Sequence, residues 1–198
     1  MIHPPKKDGN GTKAHLPLPK DTPPLDVARA FAGKRILFTG ATGFVGKVTL
    51  SMLLHRYPEL GKVYVLVRPG TGGTAYARFF EKVAPGRPFD PLREQHGEGF
   101  DAFMHEKCIP IAGDISDPML GISDKDRELL KGLDLIINCA GLVDFNPSLE
   151  LAINVNVRGA QHAVDLAKAT GAALAHISPC FVAGNRDGVV YEDEEIRG

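Results

Sequence analysis

One stretch of this chain has the residue types and spacing to hold an anion. Thr39-Gly40-Ala41-Thr42-Gly43-Phe44-Val45-Gly46 places three glycines where a short apolar run gives way to a helical pattern. Gly40 permits a tight turn, Gly43 lets the backbone approach a diphosphate, and Gly46 lets helix and strand pack closely. The amides from Thr42 through Phe44 and Val45, with a helix dipole behind them, then hold the anion. Glycine triplets also occur in ordinary turns. Here a strand precedes, a helix follows, and a second strand begins sixteen residues past Gly46. That context points to a dinucleotide.

Three further segments stand where such a ligand would reach. Val67-Arg68-Pro69-Gly70 closes the second strand without the acid that would bind a ribose 2′-hydroxyl. Arg68 offers a planar cation suited to a 2′-phosphate, which favours NADPH over NADH; its other reading is a solvated arginine at a strand end. Gly113-Asp114-Ile115 follows the third strand, where Asp114 can accept from the adenine amino group or serve as a turn acid or helix cap. Asn138-Cys139-Ala140-Gly141 follows the fourth, and its small residues let the backbone lie against the coenzyme. Cys139 reads as a small buried hydrophobe rather than a nucleophile.

The elements that must position these residues alternate. Strands are expected at Lys34–Thr39, Lys62–Val67, Cys108–Ala112, Leu133–Asn138 and Ala172–Ser178. Between them run helical patterns: Phe44–Tyr57 with Val45, Val48, Met52 and Leu53 apolar, interrupted segments over Thr74–Ala84 and Pro91–Lys107, and Ser123–Lys131 opened by Ser123 as a cap. Asn156–Thr170 follows with Val157, Ala160, Val164, Leu166 and Ala167 inward, and Gly171 ends it. Such alternation implies βαβ units. The expected fold is α/β: a Rossmann-type, doubly wound parallel sheet with helices on both faces. It occupies residues 26–198 and opens on a short LDVARAF helix, Leu25–Phe31. The charge-rich tail VVYEDEEIRG brings no terminating element, so the domain is expected to be a fragment truncated after the fifth strand. Residues 1–25 hold six of the fifteen prolines and four lysines without hydrophobic periodicity, and read as a disordered leader.

Composition narrows the function. The 198 residues carry 23 Lys+Arg against 24 Asp+Glu, for a formal charge of −1. That balance gives no electrostatic case for nucleic acid or anionic membrane. No apolar run approaches the roughly 18 residues of a membrane span. Cys108, Cys139 and Cys180 show no CxxC or His-rich spacing, so no metal site is expected. An odd set of thiols fits a reducing compartment and, without an apolar leader, the cytoplasm.

Taken together, TGATGFVG, GDI, NCAG, the Asn156-Val157-Arg158-Gly159-Ala160 helix start and HISPCFVAG resemble the extended branch of the short-chain dehydrogenase/reductases. Within it, VLVRPG, IAGDISDPMLGIS, CAGLVDF with Asp144-Phe145, and VAGNRDG resemble the fatty acyl-CoA reductases and terminal thioester reductase domains, over roughly Lys34 to Gly188. The resemblance implies hydride transfer from NADPH to a fatty acyl-CoA or carrier-bound acyl thioester, giving an aldehyde and often an alcohol. It implies a tyrosine that donates the proton, a lysine four residues later, and a Ser/Thr hydroxyl at the end of strand five. Asn156 matches the family's helix asparagine, which supports the active site; a helix N-cap is its other reading.

Two departures stand out. Tyr57, Tyr64, Tyr76 and Tyr191 are followed four residues later by Gly61, Arg68, Phe80 and Glu195, so no Tyr-x-x-x-Lys is present. Pro179 takes the place of the reacting hydroxyl, leaving Ser178 as a weak catalytic candidate on the opposite strand face. The chain is expected to be the coenzyme-binding part, to bind coenzyme at best weakly as it stands, and to be inactive alone. An extended-type enzyme acting on nucleotide sugars or sterols would carry the same turn, and a non-catalytic NADP-binding module would accommodate Pro179. Oligomeric state is not legible.

Overall fold

The computed structural model describes residues 24–144, 146–179, 184 and 188–191. The expected leader therefore falls, save its last two residues, outside the described residues. Five strands form one parallel sheet: β1 (Arg35–Thr39), β2 (Lys62–Val67), β3 (Cys108–Ala112), β4 (Leu135–Asn138) and β5 (Ala173–His176). Their spatial order is β3-β2-β1-β4-β5, so the expected Rossmann-type arrangement is present. The strands read as continuous apolar runs because both faces are covered. Pro110 is tolerated in β3 because that strand is an edge, where a missing ladder donor costs least.

Alternate residues of each strand serve opposite cores. Ile36, Phe38, Val63, Val65 and Val67 join one cluster with α2 (Phe44–Arg56), α3 (Ala75–Ala77) and its π-helical continuation to Val83, α4 (Asp90–His96) and α5 (Phe100–Lys107). A short α1 (Val27–Phe31), capped by Asp26 accepting from the Arg29 N–H at 3.0 Å, precedes β1. Leu37, Tyr64, Leu66, Ile111 and Ile136 face the other cluster. That cluster holds Leu130, just past α6 (Asp124–Glu128), and Ala163, Leu166 and Ala167 of α8 (Gly159–Thr170). Each fully buried aliphatic side chain contributes about 1.5–3 kcal/mol.

Several sequence expectations are corrected. The inward face of α2 is Gly46, Leu50, Ser51, Leu53 and Leu54, whereas Val45 and Met52 are exposed. Gly46 must face the preceding turn, and that one requirement sets the rotation of the helix. The helix expected at Asn156 instead begins as α7 (Leu149–Ala152), capped by Ser148 through the Leu151 N–H at 3.3 Å. It passes through a π-helical turn, Ile153–Arg158, into α8. The wider turn leaves Val157 exposed and turns Gly159 and Ala163 inward. Gly171 ends α8 at φ +72°, as expected.

Asp134 joins β4 to β1: its carboxylate accepts from the Arg35 N–H at 2.9 Å and the Lys34 ammonium at 2.7 Å. The Arg35 amide first, and Lys34 after it, hold this carboxyl below the ordinary aspartate range. A depressed native value means the stabilisation is present above the unfolded-chain range and is lost as pH falls through the native value. Asp134→Asn should therefore flatten the acid limb of a melting-temperature profile, and an unchanged limb would contradict this. Gly46→Ala should cost about 1–3 kcal/mol in urea denaturation, because the added methyl overlaps the Gly40 carbonyl oxygen.

Candidate functional site

Strand order reverses between β1 and β4, which opens a crevice at their carboxyl ends. The glycine turn lies there. Gly40 leaves β1 at φ +79°, in the left-handed region. A Cβ on it would lie 2.6 Å from the Cys139 carbonyl and 2.7 Å from the Ala140 nitrogen. The turns after β1 and β4 thus touch backbone to backbone, and only glycine fits. Gly43, by contrast, is exposed, and a Cβ there would meet nothing nearer than the Gly40 oxygen at 3.4 Å.

Gly43 also caps α2 without a side chain to offer. The N–H groups of Phe44, Val45 and Gly46 open a thirteen-residue helix and have no intrahelical acceptor. Bare donors at the positive end of a helix dipole suit a diphosphate. Phe44 and Val45 hold their side chains outward, away from the core.

A polar ladder ties this turn to β5. Thr39, Asn138 and His176 are in register across β1, β4 and β5. The buried Thr39 hydroxyl accepts from the Ala140 N–H at 3.2 Å and donates to Asn138 Oδ1 at 2.6 Å. The Asn138 amide nitrogen then lies 3.0 Å from His176 Nδ1. Reversing the amide would strand the Thr39 hydroxyl proton in a dry site. Asn138 therefore donates, His176 Nδ1 accepts, and the imidazole proton sits on Nε2. Sequence reading quoted Thr39 and Asn138 in motifs but gave them no role. Their partnership requires knowing that β1, β4 and β5 are neighbours.

At the end of β2, Arg68 is 71% exposed, with Nη1 3.4 Å from Asp114 Oδ2 after β3. The Arg78 guanidinium donates to the Arg68 carbonyl oxygen, which brings a second cation to the same strand end. Arg78 went unread. Its signal is the Thr74 cap, whose hydroxyl accepts from the Ala77 N–H at 3.0 Å and starts the turn that carries it. Burial alone would raise the Asp114 carboxyl. Hydrogen bonds from Ser116, with the Arg68 guanidinium, outweigh burial and hold it below the ordinary range. Asp114 is therefore an anion at neutral pH. Ile115 turns its side chain into the core against Gly159, and its carbonyl oxygen lies 3.0 Å from His162 Nδ1.

Past β4, Asn156 grips the chain from the π-helical turn. Its Oδ1 accepts from the Leu142 N–H at 2.8 Å and its Nδ2 donates to the Leu142 oxygen at 3.1 Å. It is not a helix N-cap, since the helix starts seven residues earlier at Leu149. A Cβ on Gly141 would meet Asn156 Oδ1 at 3.4 Å, so the clamp sits directly on the Cys139–Gly141 turn. The half-buried Cys139 thiol is raised by burial, and buried Cys108 is pushed up to about 12. Both are free, and neither is an activated nucleophile. Ser178 and Pro179 are exposed beyond β5, whose end is fixed by the Ile177 N–H donating to the Asn138 oxygen at 2.9 Å. Asp144 accepts from the Asn146 N–H at 3.0 Å, while Phe145 and Cys180 lie outside the described residues.

Comparison with known proteins agrees with this geometry. Residues 38–197 match the family described as Male sterility protein, an NAD-binding domain. Fatty acyl-CoA reductase 2, chloroplastic, of Arabidopsis thaliana is 32% identical over 85% of this chain and 28% of its own length. Fatty acyl-CoA reductase 1 of Homo sapiens is 35% identical over 84% of the chain and 32% of its own length. The chain thus spans about a third of these relatives. Among solved structures, the terminal R domain from the myxalamid PKS-NRPS biosynthetic pathway superposes with a TM-score of 0.68 at 29% identity, over 84% of this chain and 40% of that one. No helix among the described residues is long and apolar enough to cross a membrane. Fold, turn and family match converge: the chain belongs to the Male sterility protein family, the branch of extended short-chain dehydrogenase/reductases that resembles fatty acyl-CoA and thioester reductases.

Proposed function

We propose that this chain is the NADPH-binding part of a reductase whose substrate is a fatty acyl-CoA or a carrier-bound fatty acyl thioester. The observation that carries the coenzyme half is the end of β2: exposed Arg68 stands there, the Arg78 guanidinium is held on its carbonyl oxygen, and no acid occupies the position of a ribose-binding carboxylate. Such a pair suits a 2′-phosphate and disfavours its absence. The names of the curated relatives support the substrate half.

Each region has its part in this reading. The amides after Gly43 hold the diphosphate, with Gly40, Thr42 and Gly46 shaping the bend around it. Asp114 Oδ2 accepts from the adenine amino group. Cys139, Ala140 and Gly141 give a flat backbone surface toward the nicotinamide half, and Asn156 keeps that surface in place through Leu142. NADPH, when bound, supplies a hydride for the thioester carbonyl carbon. The carbonyl oxygen then needs a proton donor and a neighbouring hydroxyl. Pro179 cannot be that hydroxyl, Ser178 is the nearest in sequence, and no Tyr-x-x-x-Lys is present to donate. In this reading the chain binds coenzyme and does not turn over by itself. The unactivated thiols fit a reducing compartment, cytoplasmic in our reading.

Fluorescence titration of the purified chain should show NADPH bound about ten- to a hundredfold more tightly than NADH, from one to two charge-assisted hydrogen bonds. Arg68→Glu should abolish or reverse that preference and Arg78→Ala should reduce it; equal affinities in the unsubstituted chain would refute the assignment. Incubation with NADPH and palmitoyl-CoA should yield neither aldehyde nor alcohol, and measurable product would overturn the claim of inactivity.

A further inference from the structure

Between β3 and α6 the backbone adopts a shape that ordinary side chains avoid. Met119 (φ 54°, ψ 30°) and Leu120 (φ 59°, ψ 25°) both lie in the left-handed region, and Gly121 follows at φ 60°. They are the only non-glycine residues with positive φ among the described residues. Glycine, asparagine and aspartate visit this region readily; methionine and leucine do not. Strain of this kind persists only where the surroundings over-determine it, and it concentrates at functional sites.

The surroundings here are specific. The Leu120 side chain is wholly buried in the cluster beneath α8. Its carbonyl oxygen accepts from the Asp114 N–H at 2.9 Å. Gly113 permits that approach, since a Cβ there would strike the Leu120 oxygen and the Leu66 side chain. A Cβ on Gly121 would lie 3.1 Å from the Asp114 nitrogen. The Asp117 N–H donates back to the Asp114 oxygen at 3.1 Å. The strained turn thereby pins the Asp114 N–H, and Asp117 just ahead of it holds the Asp114 carbonyl oxygen. Its carboxylate is half tied as well: Ser116 N–H holds Oδ1 at 2.9 Å, while Oδ2 points toward Arg68 and the end of β2.

We infer that Leu120 is a positioning residue for base recognition, its buried side chain locking the left-handed turn so that Asp114 Oδ2 meets the exocyclic amine of adenine. The inference rests on the proposed coenzyme role of Asp114. A fixed carboxylate oxygen accepts from an amine and repels a carbonyl oxygen at the same place. The site therefore discriminates adenine from hypoxanthine, whose six-position carries oxygen.

The test is a set of titrations with NADPH, NADH and the reduced hypoxanthine analogue of NADPH, with circular dichroism melts to establish folding. The unsubstituted chain should bind NADPH about tenfold or more tightly than the hypoxanthine analogue. Leu120→Ala and Gly121→Ala should bring that ratio close to one while leaving the preference for NADPH over NADH in place, and Leu120→Met should retain both. Where Leu120→Ala fails to fold, Leu120→Val and Gly121→Ala decide. A base preference that survives in the folded variants overturns the inference, as does a parallel fall of both preferences, which would mark general loosening. No uptake of NADPH at all would instead refute the coenzyme reading, and uptake without base preference in the unsubstituted chain would refute the Asp114 contact.

Discussion

The structure depends on one contact: the backbone of Gly40 against the backbone of Cys139 and Ala140. It joins the turn after β1 to the turn after β4, the two strands between which the chain reverses its direction of travel across the sheet. No side chain mediates the contact, so its geometry is set by peptide planes and is stiff. Every neighbouring constraint follows from it. Gly46 must lack a Cβ because α2 rises directly behind the Gly40 carbonyl, and that choice turns Leu50, Leu53 and Leu54 into the core. The Thr39 hydroxyl bonds the Ala140 N–H because the two turns are already abutted, and Asn138 passes the connection to β5.

Strands were legible because a parallel sheet buried on both faces leaves an unbroken apolar run. Lys62–Val67 and Cys108–Ala112 have the boundaries their residue patterns imply. Rotations and starts of helices were harder to read. Val45 and Met52 sit at a plausible helical period, yet Gly46 governs which face turns inward, through a contact that exists only after folding. Asn156 looked like a helix start because the exposed Leu149, Leu151 and Ile153 give no inward stripe ahead of it. The π-helical turn shifts the periodicity at that very place.

The same division runs through the site. The positions of the glycine bend after β1 and of Asp114 after β3 were readable, since a glycine-lined bend between strand and helix has a local signature. Arg78 was not, because its link to the β2 end is a hydrogen bond to a main-chain oxygen that residue types do not reveal. The left-handed turn was unreadable for a related reason: Met119 and Leu120 are poor residues for that conformation. Their placement is imposed by burial of Leu120 and by the absence of a side chain at Gly113.

On the proposed function, holding a dinucleotide and identifying it are separate tasks in this chain. The first turn of α2 offers main-chain donors, which any diphosphate satisfies, and Phe44 and Val45 there are exposed. Discrimination, in the proposed function, falls to side chains near the ends of β2 and β3: Arg68 beside Asp114, Arg78 held by the Arg68 carbonyl oxygen, and Asp114 held by the Ser116 N–H. A fold so arranged can change its coenzyme by a few substitutions without disturbing the core. The segment after β5 lacks that kind of support. Ser178 and Pro179 lie exposed past the last ladder bond of β5. Proline at position 179 offers neither an amide donor nor a hydroxyl, and the Asn138–His176 pair reaches only the strand before it.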